Sequence, residues 1–444
     1  MTMFHHSILV LLAIVAAFAV GKKLSLNTEI SMLLSALAGL VAHVLLPKGV
    51  DPRSALPFTE AIRHLVEGSF TYFDVCLIFM TATFFMSLYK EAGGVAFIVR
   101  RIVLGFHNRR SVCLLLLVLV MMIPGAITGS GATTVLTVGS LVGSVLLAMD
   151  VPANKRVALI FLLAAMSAAC PPINLWAMMA AAGANMPYVG FARPLALLSV
   201  TGALFAAFWL AGKGKPVDMN KALSTLPEVP EGWNWLRAAA PFLILAALVL
   251  AGRAFPYSFP ILGLPLIFMT SALAVCAISP SRLPVFRVAR NTVKSLLGLV
   301  SIMVVVGVLI QVMTLSGVRG LLSLAVVTLP LGVLFFSLWL ILPASEGMLQ
   351  YAVAPLFGVP LIMLFNMKGL DPVISLAAWS VMWPLGDCLP PTAVVGRAAV
   401  MELDFKGDYY RGFVKTALPV MGFILLLSTL FMVYSKEIAE VIGG

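Results

Sequence analysis

Cys170-Pro171-Pro172-Ile173-Asn174 interrupts an apolar run, residues 155–183, that would otherwise read as one membrane-crossing helix. Proline donates no intrahelical hydrogen bond and its ring collides with the preceding turn, so two in succession break the helix and free several backbone groups. In lipid such groups persist only where they are buried in protein or line a cavity. A second stretch of the same kind, Leu389-Pro390-Pro391-Thr392, carries its prolines 219 positions downstream. The same shift brings Pro124 onto Pro343 and Gly139 onto Gly358. After a three-residue insertion, Tyr188-Val189-Gly190-Phe191 meets Tyr410-Arg411-Gly412-Phe413. One offset shared by several bend-forming residues is the mark of an internal duplication.

With 61% hydrophobic and 11% charged residues, against about 25% charged in soluble domains, the 444-residue chain is expected to be an all-α polytopic membrane protein. Its net charge of +11 does not read as a nucleic-acid footprint, because the basic residues fall in short loops between apolar runs. The five cysteines lie mostly inside apolar runs and lack CxxC spacing, which supports neither a disulfide framework nor a zinc site. The first apolar run, Ser7 to Val20, is followed by Lys22 and Lys23 and by no cleavage site, so a retained helix with its N-terminus outside is expected.

Crossings are predicted at residues 7–20, 29–46, 69–89, 155–183, 190–212, 238–252, 260–279, 296–314, 372–401 and 415–434. Two further apolar stretches read as re-entrant helical hairpins. In the first, Ser111 to Ile123 is too short to span and meets a small polar tip at residues 124–134 before returning through Val135 to Met149. In the second, Leu321 to Asn366, the tip is Pro343-Ala344-Ser345-Glu346-Gly347, and the longer arms also allow a full crossing pair. This layout puts most of the 29 Lys and Arg residues on the cytoplasmic side, with Lys48, Arg53, Arg193 and Lys368 among the few outside, and both termini in the periplasm of a bacterial inner membrane. Residues 94–110 and 284–294 read as amphipathic arms on the inner surface or as plain loops. Five crossings separate the hairpins, so the copies are inverted. The expected organisation is scaffold in 1–110, the first half of a transport domain in 111–212, a linker in 213–237, scaffold in 238–320 and the second half in 321–444.

Inverted repeats with discontinuous helices are the sequence signature of secondary transporters, whose solute and ion sites lie where half-helix ends meet. The chain carries no GxSxG or HExxH motif and no P-loop, which argues against an enzyme or a nucleotide-driven pump. Freed carbonyls and hydroxyls at the tips and breaks suit a cation, and helix N-termini suit an anion. Candidate ion ligands are Thr128, Gly129, Ser130, Thr133, Cys170, Ser345, Glu346 and Asp387; candidate solute contacts are Ser130, Asn174, Ser345, Thr392 and Arg397. Each has a plainer reading. The tip hydroxyls, with Asn174 and Thr392, also suit helix capping. Glu346 also suits an outer mouth, and Asp387 and Arg397 also suit an ion pair with each other. The His residues lack metal spacing, and the 23 Met residues read as apolar packing.

At these residues the chain resembles the large membrane subunit of the tripartite ATP-independent periplasmic (TRAP) transporters, the DctM-like family of the ion transporter superfamily. The resemblance rests on Thr128-Gly129-Ser130-Gly131-Ala132-Thr133, on Pro171-Pro172 with the following Ala-rich half-helix and Met186-Pro187-Tyr188, and on Leu389-Pro390-Pro391-Thr392, within residues 70–435. It implies an elevator-type importer of small organic acids such as C4-dicarboxylates, coupled to Na+, working with a small membrane subunit and a periplasmic substrate-binding protein. The sequence departs from the family where Ile173 stands before Asn174 and where Glu346 makes the second tip acidic, which leaves proton coupling as the other choice. A stand-alone carboxylate symporter of the same superfamily is the alternative.

Overall fold

The computed structural model describes residues 3–46, 58–255, 257–260, 262–327 and 330–443. Lys48 and Arg53, assigned above to the outer side, lie outside the described residues. Among the described residues every regular element is helical, and ten helices are long and apolar enough to cross a membrane. The chain is a multi-pass membrane protein.

The broken helices form as the double prolines require. Ala153–Ala169 and Leu175–Gly183 flank the first break. Each of these ends recurs 219 positions on, in a segment that starts as Pro372–Met382, tightens to a 3-10 turn over Trp383–Cys388, breaks, and resumes as Val394–Glu402. Both Pro171-Pro172 and Pro390-Pro391 are joined by cis peptide bonds. Ala192–Ala211 and Lys415–Val433 then close the two copies.

The hairpins differ from expectation. The first arm of hairpin one is Arg110–Thr128, with Pro124 inside it, and the return runs from Gly131 through a π-helical stretch, Val135–Gly139, to Ser140–Ala148. Both arms are therefore long enough to cross by length, where a 13-residue arm was expected. A helix tolerates an internal proline when neighbouring helices re-satisfy the freed carbonyl, so Pro124 does not end it. Hairpin two is Leu331–Leu349 returning as Val353–Met367, and its tip is the 3-10 turn Gln350–Ala352. Residues 343–347, expected at the tip, lie in the last turns of the first arm. Both first arms have 19 residues, but the second begins and ends two positions later than the 219 shift demands, so Pro124 and Pro343 occupy different turns.

The second surface arm also moves. Residues 284–294 do not form a separate arm, because one 31-residue helix, Val285–Leu315, runs through them. The counterpart of the first arm, Gly94–Phe106, is Val318–Val327, of which residues 321–327 were expected in the second hairpin and 318–320 in the scaffold. Gly93 at φ 86° and Gly317 at φ 73° end the long helices before each arm, a conformation that costs glycine no Cβ clash. An unexpected helix, Phe58–Phe70, precedes Phe73–Glu91.

Two groups of helices pack mainly among themselves, and Phe73–Glu91, Gly94–Phe106 and Val318–Val327 touch both. Met3–Lys23 packs on Thr28–Leu45, which packs on Val285–Leu315; Trp235–Ala254 packs on Leu264–Ile278, which packs on Phe73–Glu91. The other group centres on Ala153–Ala169, buried along its whole length from Val157, with hairpin one on one side and Ala192–Ala211 on another. The backbones come very close here. A Cβ added to Gly125 would stand 2.0 Å from Ser167 Oγ, and one added to Gly386 would stand 1.8 Å from the Pro343 carbonyl oxygen.

Candidate functional site

The tip of hairpin one is held by its own hydroxyls. Thr128 Oγ1 donates to the Pro124 carbonyl (2.8 Å) and accepts from the Ser130 backbone N–H (3.2 Å). Ser130 Oγ caps the next turn by accepting from Thr133 N–H at 3.2 Å. A 2.8 Å bond between Thr134 Oγ1 and Ser167 Oγ latches the tip to the first broken helix.

At the first break, Asn174 uses both ends of its amide. Its Oδ1 accepts from Ala177 N–H (3.0 Å), and its Nδ2 donates to the Ala169 carbonyl and to Ser380 Oγ, both at 3.0 Å. Ile173 N–H donates to the Ala126 carbonyl of hairpin one (3.1 Å). Asn174 and the buried Cys170 are thus parts of a closed seam. At the second break, Thr392 donates from both its backbone N–H (3.1 Å) and its Oγ1 (2.8 Å) to the Gly347 carbonyl of hairpin two. Ala393 sits at the start of the following half-helix with φ 44° and offers no side-chain cap. Arg397 is exposed and donates to the Pro391 carbonyl at 3.2 Å. Among the described residues it forms no ion pair with Asp387.

The two acidic residues lie together. Glu346 is fully buried and accepts from Trp176 Nε1 through Oε2 at 2.8 Å, which ties hairpin two to the first half-helix. Trp176 stacks on Tyr351, with centroids 4.5 Å apart. Tyr351 in turn donates to the Gly129 carbonyl at 3.3 Å, so the two tips touch. Asp387 lies in the turn Trp383–Cys388, which packs on the helix that carries Glu346. Ser345 is buried with its hydroxyl spent on the Leu342 carbonyl.

A cavity of about 270 Å³ opens where these parts meet Thr28–Leu45, Phe73–Glu91 and Val285–Leu315. Ser130, Thr133, Gln350, Tyr351, Asp387 and Val394 line one wall; Thr28, Glu29, Phe79, Ser295 and Gly298 line the other. A neighbouring space of about 300 Å³ shares Thr133, Leu136 and Ser295 with it and is lined beyond them by Lys90 and Glu91. Among the described residues, the ionisable carboxylates on the first cavity's lining are Asp387 and Glu29, and no Lys, Arg or His lines it.

Of the residues singled out from sequence, Ser130, Thr133 and Asp387 converge on this cavity, and Glu346 stands behind Asp387. Thr128, Gly129, Cys170, Asn174, Ser345, Thr392 and Arg397 do not line it. Gln350, Tyr351 and Glu29 were missed. The signal for the first two is the pair Gln350-Tyr351, the polar interruption of an apolar run that marks the true tip.

The fold is shared with two solved transporters. MtrF of Neisseria gonorrhoeae, described as illuminating a class of antimetabolite efflux pumps, superposes with a TM-score of 0.63 at 12% identity over 91% of this chain and 94% of that one. The YdaH transporter of Alcanivorax borkumensis, described as having an unusual topology, gives 0.62 at 14% over 91% and 97%. No protein-family model and no curated protein sequence matches the chain.

Proposed function

We propose that this chain is a secondary active transporter that moves a small polar solute with a cation through the cavity between the two helix groups. The carrying observation is the cavity itself. It is bounded on one side by both hairpin tips and the second break, and on the other by scaffold helices, so a solute held there touches both groups at once. Binding between two bodies is the arrangement that lets a change in their relation carry a ligand across. The elevator motion, the inverted relation of the copies, and residues 111–212 and 321–444 as the moving part belong to this proposal. The fold likeness to MtrF and YdaH supports it.

For the cation, sodium would find oxygen ligands at Ser130, Thr133 and Asp387, and a proton would reside on a carboxyl. A small organic acid, the solute implied by the TRAP resemblance, would be met by hydroxyls, by Gln350 and by the bound cation, because the lining offers it no cationic side chain. That same lining favours a second reading, a solute bearing an amine opposite Asp387 and Glu29. The chain alone, reconstituted in liposomes, tests these readings. Accumulation of labelled C4-dicarboxylate under an inward sodium or proton gradient supports the first; accumulation of a labelled amine instead supports the second. Uptake that appears only with an added small subunit and binding protein supports the TRAP-type assembly over the stand-alone symporter. Equilibration of either solute without any gradient dependence defeats coupled transport.

A further inference from the structure

A third space, of about 350 Å³, is cut between Phe73–Glu91, Leu264–Ile278 and Val285–Leu315. Apart from the Thr81 and Thr292 hydroxyls and the Cys276 thiol, its lining side chains are all hydrocarbon or thioether. Thr81 Oγ1 is spent on its own helix, donating to the Leu77 carbonyl at 2.7 Å. The floor is tight, with Leu88, Ala272 and Leu296 buried, whereas the rim is bare: Leu273 is 67% and Phe286 92% exposed. All three helices contribute the turns nearest one end, since Leu88 and Cys276 stand close to the ends of theirs and Val285 begins the third. From Met80 to Leu88 the groove follows its helix for about 12 Å, most of one leaflet of a hydrocarbon core about 30 Å thick. Its mouth is basic. Arg282 stands in the connection between the second and third helices; on the third, Arg290 follows Phe286 by one turn, with Arg287 and Lys294 a turn to either side of it. All four are exposed, and among the described residues none forms an ion pair. The sequence has no Asp or Glu from 232 to 345. Glu91, at the same level, lines the neighbouring space of about 300 Å³ instead, together with Lys90.

We propose that this groove is a binding site for one anionic phospholipid, with an acyl chain lying between the three helices and the phosphate held by Arg282 and Arg290. Hydrocarbon walls nearly a leaflet deep, beneath a ring of unneutralised cations, match the two halves of such a molecule. Arginine suits the phosphate because its planar fork donates two parallel hydrogen bonds, and basic pockets between transmembrane helices recur as anionic headgroup sites. Arg287 and Lys294 reach the headgroup level along their aliphatic stems. A second copy of the chain fits less well, because an isologous contact here would set the same cations against one another. Leu296 belongs both to the groove floor and to the lining of the 270 Å³ cavity, so a bound chain backs one wall of that cavity. The inference goes beyond the transport reading and does not depend on it.

The test is native mass spectrometry of the full chain, released from detergent after addition of phosphatidylglycerol or phosphatidylcholine at equal concentration. One phosphatidylglycerol is expected to stay bound, with an occupancy about tenfold or more above that of phosphatidylcholine, as several Lys and Arg around an anionic headgroup provide. Arg282→Gln combined with Arg290→Gln should remove that preference. Lys213→Gln combined with Lys215→Gln, exposed cations of the linker, should leave it intact. Ala289→Trp fills the groove and should abolish retention with every arginine still in place. Equal retention of the two lipids by the wild type overturns the assignment, as does an unchanged preference in the arginine variant, an equal loss in the lysine variant, or full retention by Ala289→Trp. A lipid-free dimer that Ala289→Trp dissociates overturns it too, because the groove is then an interface between copies. Should Ala289→Trp fail to fold, the two charge variants, which alter only exposed side chains, still decide the matter. No solute enters this measurement, so a failed flux assay and a failed lipid assignment are told apart.

Discussion

The two breaks share a backbone and differ in chemistry. Both follow a 17-residue segment, both carry a cis Pro-Pro pair, and both resume as a half-helix of nine residues. In each, a backbone N–H just beyond the prolines donates to a carbonyl of the adjoining hairpin. The first is then sealed: Asn174 caps the half-helix and bridges to Ser380. The second is left open, with an uncapped start at Ala393 and Asp387 facing the cavity. Ala168 stands where Asp387 does, and neither Gly125 nor Ile127, the counterparts of Glu346 in the two possible registers, carries a charge. The two breaks therefore repeat one backbone, and the acidic residues stand in the second alone.

The largest expected effect strikes what the copies have in common. Gly386→Ala and Gly125→Ala each press a methyl into the facing segment, and overpacking of this severity should cost about 3 kcal/mol or more. Loss of monodisperse folded protein in size-exclusion chromatography is the outcome; wild-type behaviour of either variant would mean the close approach is not needed. Next comes the open break. Asp387→Asn should lower solute flux on the order of a hundredfold, as expected when a charged partner is withdrawn from a water-poor site, while the melting temperature stays near the wild type. Asn174→Ala at the sealed break should do the reverse. It removes a cap and leaves Ser380 without its bridge, for a loss of about 1–3 kcal/mol in denaturant unfolding, with the cation dependence of flux unchanged. The smallest effect belongs to Thr392→Val, which deletes the hydroxyl bond to Gly347 but keeps the backbone one. About 0.5–1 kcal/mol is expected, and a large flux defect would place Thr392 in the site after all.

The repeat and both breaks were legible because proline acts locally and its spacing survives in the sequence. The second tip was misplaced for the same reason: Pro343 was read as ending a helix that neighbouring segments in fact sustain. Phe58–Phe70 escaped notice because Glu60, Arg63 and Glu67 give it an amphipathic rather than an apolar pattern. Asp387 and Glu346 were visible as charges in apolar runs. Their relation to Trp176 and Tyr351 was not, since it depends on how four distant segments pack. Glu29 reads in sequence as an ordinary acidic residue in a first helical turn, stabilised there by the helix dipole. Only the packing of Thr28–Leu45 against Val285–Leu315 turns it toward the cavity.

The linker between the copies is fastened at two places. Its beginning is gripped by Arg110, which donates to the Ala211, Met149 and Lys215 carbonyls, and by Asp218 N–H on the Ala148 carbonyl, all around the base of hairpin one. Its end is pinned to the first surface arm and the scaffold by Arg100 on the Leu226 and Pro227 carbonyls and by Trp233 Nε1 on the Ala92 carbonyl. Between the fastenings lies little more than the short helix Met219–Thr225. A leash of that length yields at most about 3.5 Å per residue when pulled straight. In the motion proposed above it would set a mechanical limit on the stroke of one helix group past the other, and adding or removing residues beside that helix would retune the limit without touching the cavity.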